Sequence, residues 1–328
     1  MDKVRLGFIG AGGIANRHLD VLRGFEDVQI VALSDPSQDR ARDLAGRVGA
    51  VDYGDYRAML DREPLDAVYI CIPPSAHGEI ESTLVERGLP FFVEKPLAVD
   101  GATAERILRD VERKGLVTAV GYHWRYLDTT EEAQALLASN PARLALGYWL
   151  DSTPPPAWWA REAQSGGQMI EQTTHIFDLA RLLVGEVERV SAFGGTTRRE
   201  RFPDLDIYDV TTANLQFASG AVGNMASTCL LNWSHRVGLH LFGDGMTIEL
   251  GANEIMIDVG RGRPVRGAQG DPVVREDRDF IDAVLGRENR IRSPYREAIK
   301  THRLTVAANQ SAREGRMIDL TENEAAHV

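Results

Sequence analysis

Cysteine is scarce in this chain of 328 residues: there are two, Cys71 and Cys229. They lie far apart, each inside an apolar run, which predicts buried free thiols and argues against a disulfide framework or a cysteine metal site. No apolar run approaches the roughly 20 residues that span a bilayer, so a membrane-embedded protein is excluded. Positive charge is in deficit too. The net charge is −11, with lysines and arginines scattered, and the basic stripe that a nucleic acid or an anionic membrane surface would need is missing. No repeat or low-complexity tract occurs, and no ligand cluster with metal spacing, so no metal is expected. The chain opens MDKVRLGF and runs straight into an apolar strand, without a charged, apolar and small-residue leader, which points to the cytoplasm.

What is present describes a globular protein. Apolar residues make up 43% and charged residues 26% of the chain, and the length suits two domains with a core each. Val4 to Ala15, VRLGFIGAGGIA, is an apolar run that enters a glycine-dense turn and opens an amphipathic helix, with Ile14, Ala15, His18, Leu19 and Leu22 at helical spacing. Gly10, Gly12 and Ala15 form the G-x-G-x-x-A version of the dinucleotide fingerprint. Gly10 permits the tight turn, Gly12 admits a pyrophosphate to the backbone N–H groups, and Ala15 lets helix and strand pack closely. Gly13 and Ile14 open the helix, whose N-terminus favours phosphate.

A second apolar run, Val28 to Ser34, ends at Asp35, 25 residues beyond Gly10 (35 minus 10). An acid near that distance can accept hydrogen bonds from the adenosine ribose and would repel a 2′-phosphate, which favours NAD. The competing role for Asp35 is a turn residue or helix cap. Arg40 and Arg42 follow closely, so NADP stays open. Helices are expected over 37–48, from Tyr56, from Ser75 to about Arg87 and over 100–114. Apolar strands over 67–72, 90–93 and 116–122 interleave with them. Strands without alternation, separated by helices, predict a doubly wound parallel sheet of about six strands. Ligands of such a sheet sit beyond the carboxyl ends of its strands, which gathers the glycine turn, the segment of Pro73 and His77, and Glu94 with Lys95 as cofactor-binding candidates. His77 is equally a first-turn helix residue facing solvent. Lys95, just past a buried strand and before Pro96, is a candidate site cation.

From about Leu144 the pattern changes. Asp209 to Phe217 alternates, a turn leads to a second alternating run ending at Leu231, and Val237 to Phe242 returns through Met246 to Leu250. This is a mostly antiparallel open sheet, whose bare face suits a second subunit. One helix is expected from about Gln168 to Val184, with Glu171, His175 and Asp178 on one face. A carboxylate one turn from an imidazole can fix its tautomer and make it a general base; a satisfied surface trio would have the same spacing.

Taken in order, GAGGIA, the strand ending in Asp35, CIPPSAH, EKPLA and GGQMIEQTTHIFD resemble the Gfo/Idh/MocA oxidoreductases over nearly the whole chain. The resemblance implies an α/β protein: an N-terminal NAD-binding Rossmann domain over 1–122, and a substrate-binding and oligomerisation α+β domain over 123–328 with a large, mostly antiparallel open sheet. It implies that the closing helix near Tyr295 to Gly315 packs back on the first domain, and that the chain is a homodimer or homotetramer through the sheet. Lys95, of the EKP motif, then contacts the reacting hydroxyl, and His175 is the base that accepts its proton, with Glu171 beside it. Tyr122, His123 and Arg125 fall where the family often carries active-site residues. Trp158 and Trp159 suit stacking on a sugar face or packing an interface, and Asp178 is a further substrate candidate.

Two positions depart from the family's usual pattern, which has aspartate one turn before the histidine and glycine two before it. Here these are Glu171, whose extra methylene extends its reach, and Thr173, which narrows the pocket or offers a hydroxyl. The expected reaction is hydride transfer between nicotinamide and a secondary hydroxyl of a sugar, inositol or sugar derivative. The alternatives carried with it are an NAD-recycling glycosidase of the same family, a non-catalytic NAD or sugar sensor, and a biliverdin-type reductase.

Overall fold

The protein is described here over residues 3–321 of a computed structural model, and the chain divides into two compact units. The first comprises 1–98, 102–123 and 271–299, and the second 99–101, 124–270 and 300–328.

In the first unit, strands β1 (Val4–Ile9), β2 (Val28–Ser34), β3 (Val51–Tyr53), β4 (Ala67–Ile70), β5 (Phe91–Val93) and β6 (Thr118–Val120) form one parallel sheet. Its order is β3-β2-β1-β4-β5-β6, the dinucleotide-binding winding, with the reversal between β1 and β4. The short β3 carries no apolar run and was not legible in the sequence. Helices α1 (Gly13–Leu22), α2 (Gln38–Gly46), α3 (Tyr56–Arg62), α4 (Glu79–Arg87) and α5 (Gly101–Lys114) alternate with the strands. Ala15, Leu19 and Leu22 turn the apolar stripe of α1 into the core, and all three are fully buried. Phe8, Tyr69 and Phe92, from β1, β4 and β5, stack in a ladder with ring centroids 4.9 Å apart at each step.

The helix expected from Ser75 begins later. Pro74–Ala76 is a 3₁₀ turn, and α4 starts after Gly78 at φ 121°, where the Glu81 carboxylate accepts the Gly78 N–H at 2.6 Å. Cys71 and Cys229 are buried free thiols.

The second unit contains α6 (Asp128–Leu137), β7 (Leu144–Ser152), α7 (Glu162–Ser165), α8 (Gln168–Glu171), α9 (Thr174–Val184), β8 (Val187–Gly195), β9 (Val210–Phe217), β10 (Val222–Leu231), β11 (Arg236–Gly243), β12 (Met246–Gly251), β13 (Glu254–Asp258) and β14 (Val265–Gly267). Then α10 (Pro272–Val284) belongs to the first unit, α11 (Tyr295–Glu314) passes from the first to the second, and β15 (Ile318–Asp319) closes the chain's regular structure. The nine strands run β14-β13-β12-β11-β7-β10-β9-β8-β15, antiparallel except for the β7–β10 pair. In β9, Ala213, Leu215 and Phe217 are buried while Thr212, Asn214 and Gln216 face outward. The outward face also carries Phe193 at 65% and Val222 at 52% exposure.

Together these elements give the α/β architecture expected from the sequence, and no described helix is long and apolar enough to cross a membrane. The single helix expected over 168–184 is two pieces. Gln172 and Thr173 interrupt it, the Thr173 hydroxyl lies 2.7 Å from that of Ser227 on β10, and Thr173 is fully buried.

Candidate active site

The glycine turn is built as a cradle. Gly10 has φ +96°, and a Cβ there would lie 2.1 Å from the Cys71 carbonyl oxygen, so only glycine fits. A Cβ on Gly12 or Gly13 would meet nothing within 4 Å: the backbone faces open space. The first turn of α1, which begins at Gly13 and Ile14, has no side-chain cap and no acidic residue, leaving its N–H groups and partial positive charge for an anion. At the end of β2 the carboxylate of Asp35 accepts Ala11 N–H at 2.9 Å and Ser37 N–H at 2.8 Å, and Arg40 pairs with it at 2.8 Å. Burial pushes the Asp35 carboxyl up, but Arg40 and the two backbone donors outweigh it and hold it below the usual range. Asp35 is therefore ionised at neutral pH and braces the turn it serves. One lone pair of its Oδ2 remains for a ribose hydroxyl. Arg42 pairs with Asp39 at 3.2 Å.

These residues fit a bound dinucleotide. Asp35→Ala removes both the acceptor and the brace, and the affinity for NAD is expected to fall by roughly 10- to 100-fold, measured by fluorescence titration.

Several cofactor candidates point elsewhere. Glu94 is 5% exposed, with Oε1 3.0 Å from His18 Nε2 and Oε2 accepting the Lys95 N–H at 3.2 Å. A Cβ on Gly121 would come within 2.3 to 2.7 Å of that carboxylate, so glycine makes room for it. The Glu94 side chain thus lies in the core, engaged by His18 and the Lys95 N–H. His77 does not face solvent: it is buried, with Nδ1 2.5 Å from Glu81 on α4. Pro73 is extended and precedes the 3₁₀ turn. Lys95 is half-buried in the turn after β5, between Glu94 and Pro96.

His123 follows β6. Burial, then Lys95 and His18, lower its pKa to about 4, against the pull of Glu94. A base with a folded pKa below its unfolded value near 6.5 stabilises the neutral form, so this contribution is complete above pH 6.5 and lost as pH falls toward 4. It amounts to about 3 kcal/mol at most. His123→Gln should lose less stability than the wild type between pH 6.5 and 4.5, measured by denaturant midpoints. Tyr122 is 1% exposed and belongs to the apolar core of its unit.

In the second unit His175, on the first turn of α9, is 4% exposed and stacks near two indoles, with Trp124 at 6.2 Å and 21° and Trp149 at 5.9 Å and 20°. Both indoles lie close to parallel with the imidazole and restrict its tilt. Glu171 ends α8 and is on a different helical piece. Its Oε2 accepts the Trp159 indole N–H at 2.6 Å, so the extra methylene carries the carboxylate to Trp159. Trp159 itself is 1% exposed and packs with Ile207 and Cys229, while Trp158 covers the same small core. Trp159 packs a small core of its own unit, and a buried ring offers no face to a sugar. The Thr173 hydroxyl is engaged with Ser227 and does not face a pocket.

Arg125 and Asp178, both expected near substrate, neutralise each other. The guanidinium is bidentate on the carboxylate, 2.7 Å at each contact, with 3% and 1% exposure. Thr301 donates to Asp178 at 2.7 Å and accepts from Arg181 at 2.6 Å, and Arg181 is bidentate on Glu186. This buried network anchors the helix that carries His175. Its members lie on separate elements, and only the Asp178–Arg181 spacing on α9 was visible in the sequence.

Sequence reasoning also missed a group in the first unit. Ligand-type atoms of His18, Glu94 and Glu276 lie within 4.8 Å of one another, but both ring nitrogens of His18 already face carboxylates.

A parallel sheet in dinucleotide order, an uncapped glycine cradle and an acid at the end of β2 define an NAD-binding oxidoreductase fold. The family profile described as "Oxidoreductase family, NAD-binding Rossmann fold" matches residues 4–122, and the GFO/IDH/MocA C-terminal domain matches 142–249. The chain belongs to the Gfo/Idh/MocA oxidoreductases. It is 28% identical over 226 residues, 67% of each chain, to myo-inositol 2-dehydrogenase of Thermotoga maritima. It is 27% identical to scyllo-inositol 2-dehydrogenase (NAD(+)) of Bacillus subtilis, over 76% of this chain and 74% of that one. The crystal structure of levoglucosan dehydrogenase with NADH shares its fold, with a TM-score of 0.86 at 20% identity over 97% of this chain and 99% of that one.

Proposed function

We propose that this protein is an NAD-dependent dehydrogenase acting on a secondary hydroxyl of a sugar, inositol or related polyol. The observation that carries the reading is the buried His175, stacked near two indoles, in a chain that also holds the dinucleotide cradle. The inositol dehydrogenases among its relatives support the substrate class. An alcohol is a very weak acid, so loss of hydride from its carbon requires a base for the hydroxyl proton and a cation beside the oxygen as negative charge develops. His175 is the base, and Lys95 supplies the cation. Bound NAD supplies the hydride acceptor. Glu171, held by Trp159 on the helical piece before the base, is read as its orienting carboxylate. The first unit is the cofactor domain. The second carries the base and, through the exposed sheet face around Phe193, Val210 and Val222, joins a second copy of the chain.

The test is a spectrophotometric screen of inositols, sugars and their glycosides with NAD and then NADP, against a Lys95→Ala control. Reduced cofactor with one substrate class, lost in the control, is expected. Silence across the panel from a protein that binds NAD would overturn the dehydrogenase reading.

A further inference from the structure

We infer that His18 is a positioning residue for the Glu94–Lys95 turn, joining the dinucleotide helix to the lysine through one buried ion relay; this rests on the role proposed above for Lys95. His18 lies on the core face of α1, fully buried, the one charged group in a stripe otherwise formed by Ala15, Leu19 and Leu22. Its ring packs on the aromatic ladder, 4.8 Å from Phe92 and 5.3 Å from Tyr69. Nδ1 is 2.8 Å from Asp277 Oδ1 on α10, and Nε2 is 3.0 Å from Glu94 Oε1. An imidazolium donates to a carboxylate from each ring nitrogen, which accounts for both contacts and leaves no lone pair for a metal. Burial opposes that charge, yet Asp277 and Glu94 together hold the proton well above the ordinary histidine range.

The second oxygen of Glu94 then accepts the backbone N–H of Lys95. One carboxylate thus ties the cofactor helix to the lysine's own peptide unit. Gly121 lets it approach on one side. Glu276 lies beside the group, 1% exposed, and burial pushes its carboxyl well up. Burial also pushes Asp277 up, against the pull of His18.

An apolar residue at position 18 would fill the same space. It could not hold Glu94, which would be left buried and unpaired. Simple packing predicts no need for such a group. The alignment of a reacting side chain does supply one, because displacement by about 1 Å can cost on the order of 100-fold in rate.

The experiment compares wild type with His18→Gln, which keeps size and one donor but not the charge. Two readouts are taken: steady-state kinetics on the substrate found above, and reductive methylation of Lys95 followed by mass spectrometry. The chain has four lysines, Lys3, Lys95, Lys114 and Lys300, so the others serve as internal references. We expect kcat to fall at least about tenfold with KM for NAD nearly unchanged, and the methylation rate of Lys95 alone to change. Should His18→Gln not fold, Glu94→Gln is read in the same way. A variant that only melts earlier, with kcat and Lys95 methylation at wild-type values, overturns the inference. The methylation arm decides the positioning even if the wild type oxidises none of the substrates, which separates this failure from that of the dehydrogenase reading.

Discussion

Lys95→Ala is expected to lower kcat by about 100- to 1,000-fold, the loss that follows removal of one oxyanion-stabilising donor in acyl transfer. His175→Ala should lower it by about 100- to 10,000-fold, the range for general-base catalysis. NAD affinity should stay near the wild-type value in the His175 variant, because that residue lies in the unit without the glycine cradle. The double variant should lose little more than the worse single one, since the proposed base and cation would serve one proton transfer. Single-turnover traces at saturating NAD make the comparison. Additive losses would mean that the two residues serve separate steps, and unchanged turnover in either variant would remove it from the mechanism.

The second large effect concerns stability. Asp178→Ala leaves the Arg125 guanidinium buried at 3% exposure without its bidentate acceptor, and also strands Thr301. Breaking a buried pair from one side costs about 3–5 kcal/mol. At about 2–4 °C per kcal/mol for a domain of 150–250 residues, the melting temperature should drop by roughly 10 °C. Asp178→Asn keeps an acceptor and should lose less. The paired replacement of Arg125 and Asp178 by methionine and leucine should lose less than Asp178→Ala, because no charge is left alone. Scanning calorimetry of the four proteins tests this. A melting temperature within 2 °C of wild type for Asp178→Ala, about 1 kcal/mol or less, would show that the network carries little of the fold's stability.

Much of the first unit was legible because its strands are continuous apolar runs and its first turn has glycines at fixed positions. Val4–Ile9, Val28–Ser34 and Ala67–Ile70 are such runs, and each became a strand. The second unit's strands betrayed themselves by alternation, as in β9. The break after Glu171 was hidden. Gln172 and Thr173 keep the helical pattern, and the interruption comes from packing against Ser227, which is 54 residues away. Helix α10 did carry a local signal, the Asp271-Pro272 start with Asp271 accepting the Val273 N–H at 3.0 Å, and it was overlooked.

The candidate site divides the same way. Gly10, Gly12, Asp35, Lys95 and His175 stand in motifs. By contrast, Arg125–Asp178 is a contact across 53 residues and His18–Asp277 one across 259, distances at which spacing carries no information. In the sequence, His18 is simply a position on the core face of its helix.

The first unit is interrupted in sequence, and this bears on how the chain is made. Its last piece, 271–299, follows the 147 residues from Trp124 to Gly270. At a synthesis rate of about 5–20 residues per second, the nascent sheet waits roughly seven to thirty seconds for α10. During that interval the aromatic ladder lacks Phe280, and His18 lacks Asp277. The N-terminal half emerging from the ribosome is thus an unfinished domain with an uncovered apolar face. A gene fragment ending after β6 should give an aggregating product, whereas one that rejoins 271–299 to residues 1–123 by a short linker should give a soluble domain.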